Sequence, residues 1–476
     1  MNTFNKKSLY AAIAGVSALG MAGTADAVHV NPDGLGQVLI YPYYTTRTRA
    51  STQFSNPQYN SLLSVVNSTA SAKAVKVRFL EGKASKEVLD FNLYLSAKDV
   101  WTAGIIPTTD GAGIVTYDKS CTIPVVSSNA ASPTAFVNFV YASTDPDTAD
   151  SSLDRTREGY VEIIEMGDVT GPTAVAATHV AGVPPCKASD LIAPVAPTNT
   201  VLGSGGLFGT MTVINVNASA EMTYDAVALE AFRTVLPNLW ASAGSVSPDL
   251  RDQLDATAST HQAETYANGA VVLSPWLSGI NAVSASLMHD NVMNEYVLDT
   301  GTASLTDWVL TYPTKRFYVS SGTGAASGGL FQRNFNGKNG SCDDVGINYW
   351  DREENSPSGP PPGFSPPPPG SPVSALCWEA NIVTWNNSNL FASTNSQNIT
   401  TAYQNGWGTL NLVGGAASPT HRLISASGQT FNGLPVVGFA TATYYNGKIP
   451  LATPAGATIQ SAYAGSFKHK TTSLIQ

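Results

Sequence analysis

Short apolar or alternating runs, each about one strand long and divided by turn residues, constrain this chain more than any other feature. Val38 to Tyr44, Leu62 to Val66, Ala74 to Phe79, Val88 to Leu95 and Val100 to Ile106 follow one another closely. Between them lie Asn67-Ser68-Thr69, Gly82-Lys83 and Ser96-Ala97-Lys98-Asp99. Runs this short read as strands, and the residues between them are turn formers. In the third run Val75, Val77 and Phe79 alternate with Lys76 and Arg78, which predicts one face in a core and the other in water. The spacing predicts a mainly β chain built of antiparallel β-sandwich or jelly-roll-like layers.

The β signal returns at Ala135 to Tyr141 and at Gly159 to Met166, whereas Gly167 to Leu202, rich in Pro, Ala and Thr, lacks periodicity. Two domains are therefore expected, an N-terminal sandwich over 28–200 and a β-rich domain over 201–476. The second carries a short helical insertion, 225–296. There Asp225 can cap a helix with Leu229, Phe232 and Leu236 on one face, Ser247-Pro248 can start another, and a third piece is expected near Leu287 to Tyr296. Beyond Asp307 the chain reads as sheet, with Asn-Gly pairs at 268, 336, 339, 405, 432 and 446 predicting hairpins. Ser356 to Pro372 holds nine prolines in seventeen residues. This Pro-rich loop, 356–372, cannot pair in a sheet and should be an extended, semi-rigid arm suited to contacting a neighbour.

Residues 1–27 read as a signal peptide: Lys6 and Lys7, an apolar stretch from Leu9 to about Met21, and the small-x-small pattern Ala25-Asp26-Ala27. The rest of the chain has no transmembrane segment by the length rule for an apolar helix, so a secreted or surface-attached protein is expected, with the periplasm as a further location. Four cysteines, Cys121, Cys186, Cys342 and Cys377, lie in the exported part, and an even count in an oxidising compartment predicts two disulfides. Three connectivities are open. The sequential pairs close the shortest loops and are the ones expected, each contributing on the order of 4 kcal/mol on the chain-entropy model. Only 12% of residues are charged and the net charge is −9. The acidic sign argues against nucleic acid as a partner. A surface rich in hydroxyls and amides suits self-association or contact with cell-surface glycan.

Several segments together resemble a group of exported bacterial cell-surface proteins. They are Gly34 to Tyr44, Val75 to Glu81, Leu89 to Leu95 followed by Asp99-Val100-Trp101, Thr306-Asp307-Trp308-Val309, and Tyr349 to Glu354. The resemblance runs over most of the chain after the leader. It implies a surface location and brings no reaction with it, and in composition the chain is also similar to surface-layer proteins.

Motifs for chemistry are sparse. The six histidines show no metal-ligand spacing, and His261-Gln262-Ala263-Glu264-Thr265 lacks the glutamate and second histidine of a zinc helix. No G-x-S-x-G elbow occurs. Asp145, Asp147, Asp150 and Asp154 can supply oxygen ligands for calcium, although the spacing departs from a helix-loop-helix calcium loop. Asp343, Asp344, Asp351, Glu353 and Glu354 can hold a cation or pair for glycoside hydrolysis. Tyr41, Tyr43, Tyr44, Tyr349, Trp350, Trp378, Trp385 and Trp407 are either core or a sugar-stacking platform. The reading that follows is a secreted, non-catalytic, structural or surface-layer-like protein, calcium being a candidate cofactor. A carbohydrate-binding or carbohydrate-active protein is second and an outer-membrane barrel third.

Overall fold

The computed structural model describes residues 27–48, 58–147, 149–216, 220–255, 261–319, 329–357, 375–414, 421–450, 456 and 458–476. The expected signal peptide, apart from Ala27, and the Pro-rich loop, apart from Ser356 and Pro357, lie outside these residues. Antiparallel sheets dominate. The first follows the order His29–Val30, Val227–Glu230, Val38–Thr45, Glu158–Val169, Lys73–Glu81, Glu87–Leu95 and Cys121–Ile123. The second follows Ala220–Asp225, Thr210–Asn215, Asn60–Asn67, Val100–Pro107, Ala112–Val115 and Thr134–Ala135. Both sheets therefore take strands from beyond residue 200.

Alternation fixes how these sheets face one another. Leu39, Tyr41, Val75, Val77, Phe79, Val161 and Ile163 point from the first sheet into one core with Leu63, Val65, Trp101, Ile105, Met211 and Val213 of the second. The opposite face of the first sheet is also covered. Val38, Ile40, Leu80, Tyr160 and Ile164 belong to a second core with Trp276, Trp308, Leu310 and Trp385 of the C-terminal half. Burial on both faces is why every residue of Val38–Thr45 is inside. Pro42 sits in this central strand because the pairing with Glu158–Val169 shifts there: Tyr41 opposes Val161 while Tyr44 opposes Gly159. A bulge of this kind spares the ladder the missing N–H.

The covered face corrects the expectation that Lys76 and Arg78 lie in water. Lys76 is 0% exposed and Arg78 5%. The Lys76 ammonium reaches Asp90 at 2.6 Å and the Ser242 carbonyl at 2.8 Å, and Arg78 pairs with Glu87 at 2.7 Å. Charges enter a protein interior only with partners of this kind.

The helical insertion is corrected as well. Residues 220–225 and 227–230 are strands, and Leu229 pairs with Val38 where a helix face was expected. After Ser247-Pro248 there is one 3-10 turn, Leu250–Asp252, capped by Asp249. Met288–His289 and Asn291–Val297 are strands, and the one α-helix between 225 and 296 among the described residues is Gly279–Ser286. Ladder pairing to strands already in place outweighs the weak preference of such short segments for helix. Thr134–Ala135 is a two-residue strand, followed by a π-helical turn at Val140–Thr144 where a longer strand was expected.

Of the Asn-Gly pairs, Asn268-Gly269 makes the expected tight hairpin. Ala267 faces Ala270 across it, with φ of 54° at Asn268 and 79° at Gly269. Gly447 instead lies at a bulge inside Val437–Pro450, and Asn405-Gly406 opens a strand. The disulfides are Cys121–Cys186 and Cys342–Cys377, the sequential pairing. No helix among the described residues is long and apolar enough to cross a membrane.

Candidate functional site

A four-stranded sheet, in the order Gly346–Asp351, Asn405–Asn411, Asn291–Val297 and Lys470–Thr472, carries the most distinctive surface. Each strand alternates. Ile347, Tyr349, Leu410, Val292 and Tyr296 turn inward. The residues between them turn outward and line up in rows set by the register. One row is Trp350, Trp407 and Glu295; the next is Asn348, Thr409, Met293 and Lys470; the third is Gly346, Asn411, Asn291 and Thr472.

The two indoles of the first row stack, ring centroids 4.5 Å apart and planes 20° from parallel. Trp407 remains 43% exposed. Beneath them is an aromatic floor: Tyr296 stacks on Trp385 at 4.2 Å, and Tyr349 meets Trp385 edge-on at 5.6 Å. The Tyr296 hydroxyl donates to the Trp350 carbonyl at 3.0 Å, tying floor to platform. Gly406 is required at this point, because a Cβ there would lie 1.8 Å from the Trp350 carbonyl oxygen and 2.7 Å from the Tyr296 hydroxyl. The indoles thus stand on a buried, close-packed base, which suits a preorganised binding face. Beside them the amides of Asn348, Asn411 and Asn291 and the hydroxyls of Thr409 and Thr472 supply donors and acceptors.

The structure sorts the aromatic candidates. Tyr41, Tyr43, Tyr44 and Trp385 are fully buried, and Tyr349 is 4% exposed. Trp378 is 9% exposed, with the Lys83 ammonium 4.1 Å from its ring centroid. Trp350 and Trp407 alone of that set form an outward-facing pair.

The aspartates proposed for calcium do not converge. Asp145 pairs with Lys86, Asp147 with Arg155, and Asp154 with both Arg47 and Arg157. Asp150 accepts from the backbone and hydroxyl of Ser152. Calcium needs six to eight oxygens around one point, whereas these carboxylates are each matched to a separate donor. Asp343 is buried against Lys315, while Asp351 caps a surface turn by accepting from the backbone of Glu353 and Asn355. Among the described residues no three His, Cys, Asp or Glu side chains gather as metal ligands. His261 lies on the strand His261–Ala267, with Nδ1 2.8 Å from the Gln253 amide oxygen. A polar cavity of about 330 Å³ opens beside Arg47, Thr108, Asp154 and Arg157, but both guanidinium groups are already paired with Asp154.

Glu158 and Glu165, both in the strand Glu158–Val169, and Glu379 are buried acids. Burial raises the Glu158 carboxyl, but Arg47, Ser393 and Thr394 outweigh it and hold the group down at about 2. Burial pushes Glu379 up to about 8 and Glu165 up to about 7, against the pull of Lys315 on the first and Lys73 on the second. Glu158 ties the first sheet to Ser393 and Thr394, and Glu165 pairs with Lys73 of the adjacent strand. No protein-family model, curated protein or solved structure matches this chain, so its function is read from its own geometry.

Proposed function

We propose that this is an exported, non-catalytic β-protein of the bacterial cell surface that holds neutral glycan on the outer face of the tryptophan sheet. The observation that carries the reading is the stacked Trp350–Trp407 pair beside two rows of amides and hydroxyls. Sugar rings present apolar C–H faces and equatorial hydroxyls. An indole platform takes the first, and side-chain amides take the second. The net charge of −9 and Glu295 in the indole row disfavour acidic polymers. Two disulfides suit an oxidising compartment outside the cytosol.

Titration calorimetry of the monomer against a panel of neutral polysaccharides tests this. Trp407→Ala is expected to weaken binding at least about tenfold, or about 1.4 kcal/mol, while Tyr266→Ala, on a different surface, leaves it unchanged. A folded protein that binds none of the panel, or binds equally well without Trp407, refutes the proposal.

A second reading, self-assembly into a surface layer, is favoured by the hairpin of His261–Ala267 and Ala270–Trp276. Its outward face exposes Tyr266 (69%), Val271 (60%) and Leu273 (45%), and Leu277 beside it is 79% exposed. Exposed apolar residues grouped in this way mark contact surfaces. Sedimentation velocity should show concentration-dependent association that Leu273→Lys abolishes. A monomer at every concentration rules this reading out.

A further inference from the structure

We propose that Lys315 and Asp343 are joined by a spontaneous intramolecular amide bond. The Lys315 Nζ lies 2.7 Å from Asp343 Oδ2, and the two side chains are 1% and 0% exposed. The other oxygen of Asp343 accepts from the Gln332 backbone at 2.7 Å, which orients the carboxyl group. Lys315 also donates to the Ser341 carbonyl, so its amine is held on the Asp343 side. Tyr312 and Phe331 wall the amine, their ring centroids 5.6 and 5.5 Å from Nζ.

The backbone holds the two segments in place. Asp343–Asp344 pairs with Ala375–Leu376, the Cys342–Cys377 disulfide crosslinks the same two segments, and Glu379 follows directly. The Tyr312 amide donates to the Glu379 carbonyl at 2.8 Å, fixing the turn that carries Lys315. An amine and a carboxyl acceptor thus share a buried, aromatic-walled site.

The chemistry balances without an outside reagent. A proton passes from the Lys315 ammonium to the Asp343 carboxylate, and the freed Nζ lone pair attacks Cγ, forming the Nζ–Cγ bond. The Cγ–Oδ2 bond breaks and that oxygen, already protonated, takes a second proton from the attacking nitrogen and leaves as water. Burying two opposite charges carries a desolvation penalty for both, and a neutral amide removes that penalty. Lys73, between Glu165 and Asp168, is a weaker case, because Ser204 also accepts from its ammonium and the Asp168 side chain is 12% exposed.

Intact mass spectrometry of the secreted full chain, after disulfide reduction, decides the matter. The wild-type protein should weigh one water less than its own sequence, and a tryptic digest should contain a branched peptide joining the segments of Lys315 and Asp343. Lys315→Arg should weigh its full sequence mass, and Asp343→Asn should lose ammonia in place of water. A folded wild-type chain at its full sequence mass, leaving an ion pair only, overturns the proposal. The deciding measurement is made on the natural protein, so a variant that fails to fold does not obscure it. Glycan binding plays no part in the readout.

Discussion

Glu162→Ala is expected to lower the unfolding free energy by about 3–5 kcal/mol, the range for removing one partner from a buried charge network. Glu162 is fully buried on the covered face of the first sheet. It accepts from Arg316 at 2.9 and 3.0 Å and stands 3.6 Å from Arg78. Arg316 also donates to the Tyr160 hydroxyl, so the network joins the N-terminal sheet to the turn that follows Leu305–Thr311. Without the carboxylate, the largely buried Arg316 guanidinium loses its paired anion, while Arg78 keeps Glu87. Urea titration with an unchanged slope is the appropriate measure. A loss below about 1 kcal/mol would mean that the network contributes little to holding the halves together. Glu353→Ala, on the exposed surface, should stay within about 0.5 kcal/mol.

Stability should also fall as pH rises from the ordinary glutamate range toward 8, and Glu379 is the main cause. Its carboxyl titrates near 4.5 in an unfolded chain and is raised by burial to about 8 in the folded one. Between those values the folded state holds a proton that the unfolded state has released, so raising the pH favours unfolding. Glu165, raised to about 7, adds to the same trend over a narrower window. A shift of this size corresponds to on the order of 3 kcal/mol after allowance for relaxation. His289 and His469 act from the other side. Burial lowers both to about 4, so their contribution is present above 6.5 and lost as pH falls between those values. Thermal unfolding from pH 5 to 9 should therefore show a decline between about 6.5 and 8 that Glu379→Gln flattens. An identical slope in the variant would show that Glu379 is not the group responsible.

The strands of the N-terminal sandwich were legible because alternation and turn chemistry are local. Val75, Val77 and Phe79 take the core side their spacing implies, and Asn268-Gly269 turns where its φ preferences allow. The disulfide pairing also followed from loop lengths. Less could be read between 225 and 296: Leu229 and Phe232 have helical spacing, yet Leu229 pairs with Val38, a residue far away in the chain. The Asp145 to Asp154 cluster misled for a related reason. Its neutralising partners Arg47 and Lys86 lie outside the segment, and sequence proximity carries no record of them.

What the sequence determined by itself is the periodicity of two that makes this a layered β-protein, together with the cysteine spacing. Only the tertiary structure decided what covers each face. It put Lys76, Arg78 and Glu162 inside a charged seam, and it turned Trp350 and Trp407 outward while Tyr349 and Trp385 went inward. The physical reason is that alternation separates the two faces of a strand but does not specify whether water or another sheet lies against them. That depends on pairings between residues hundreds of positions apart.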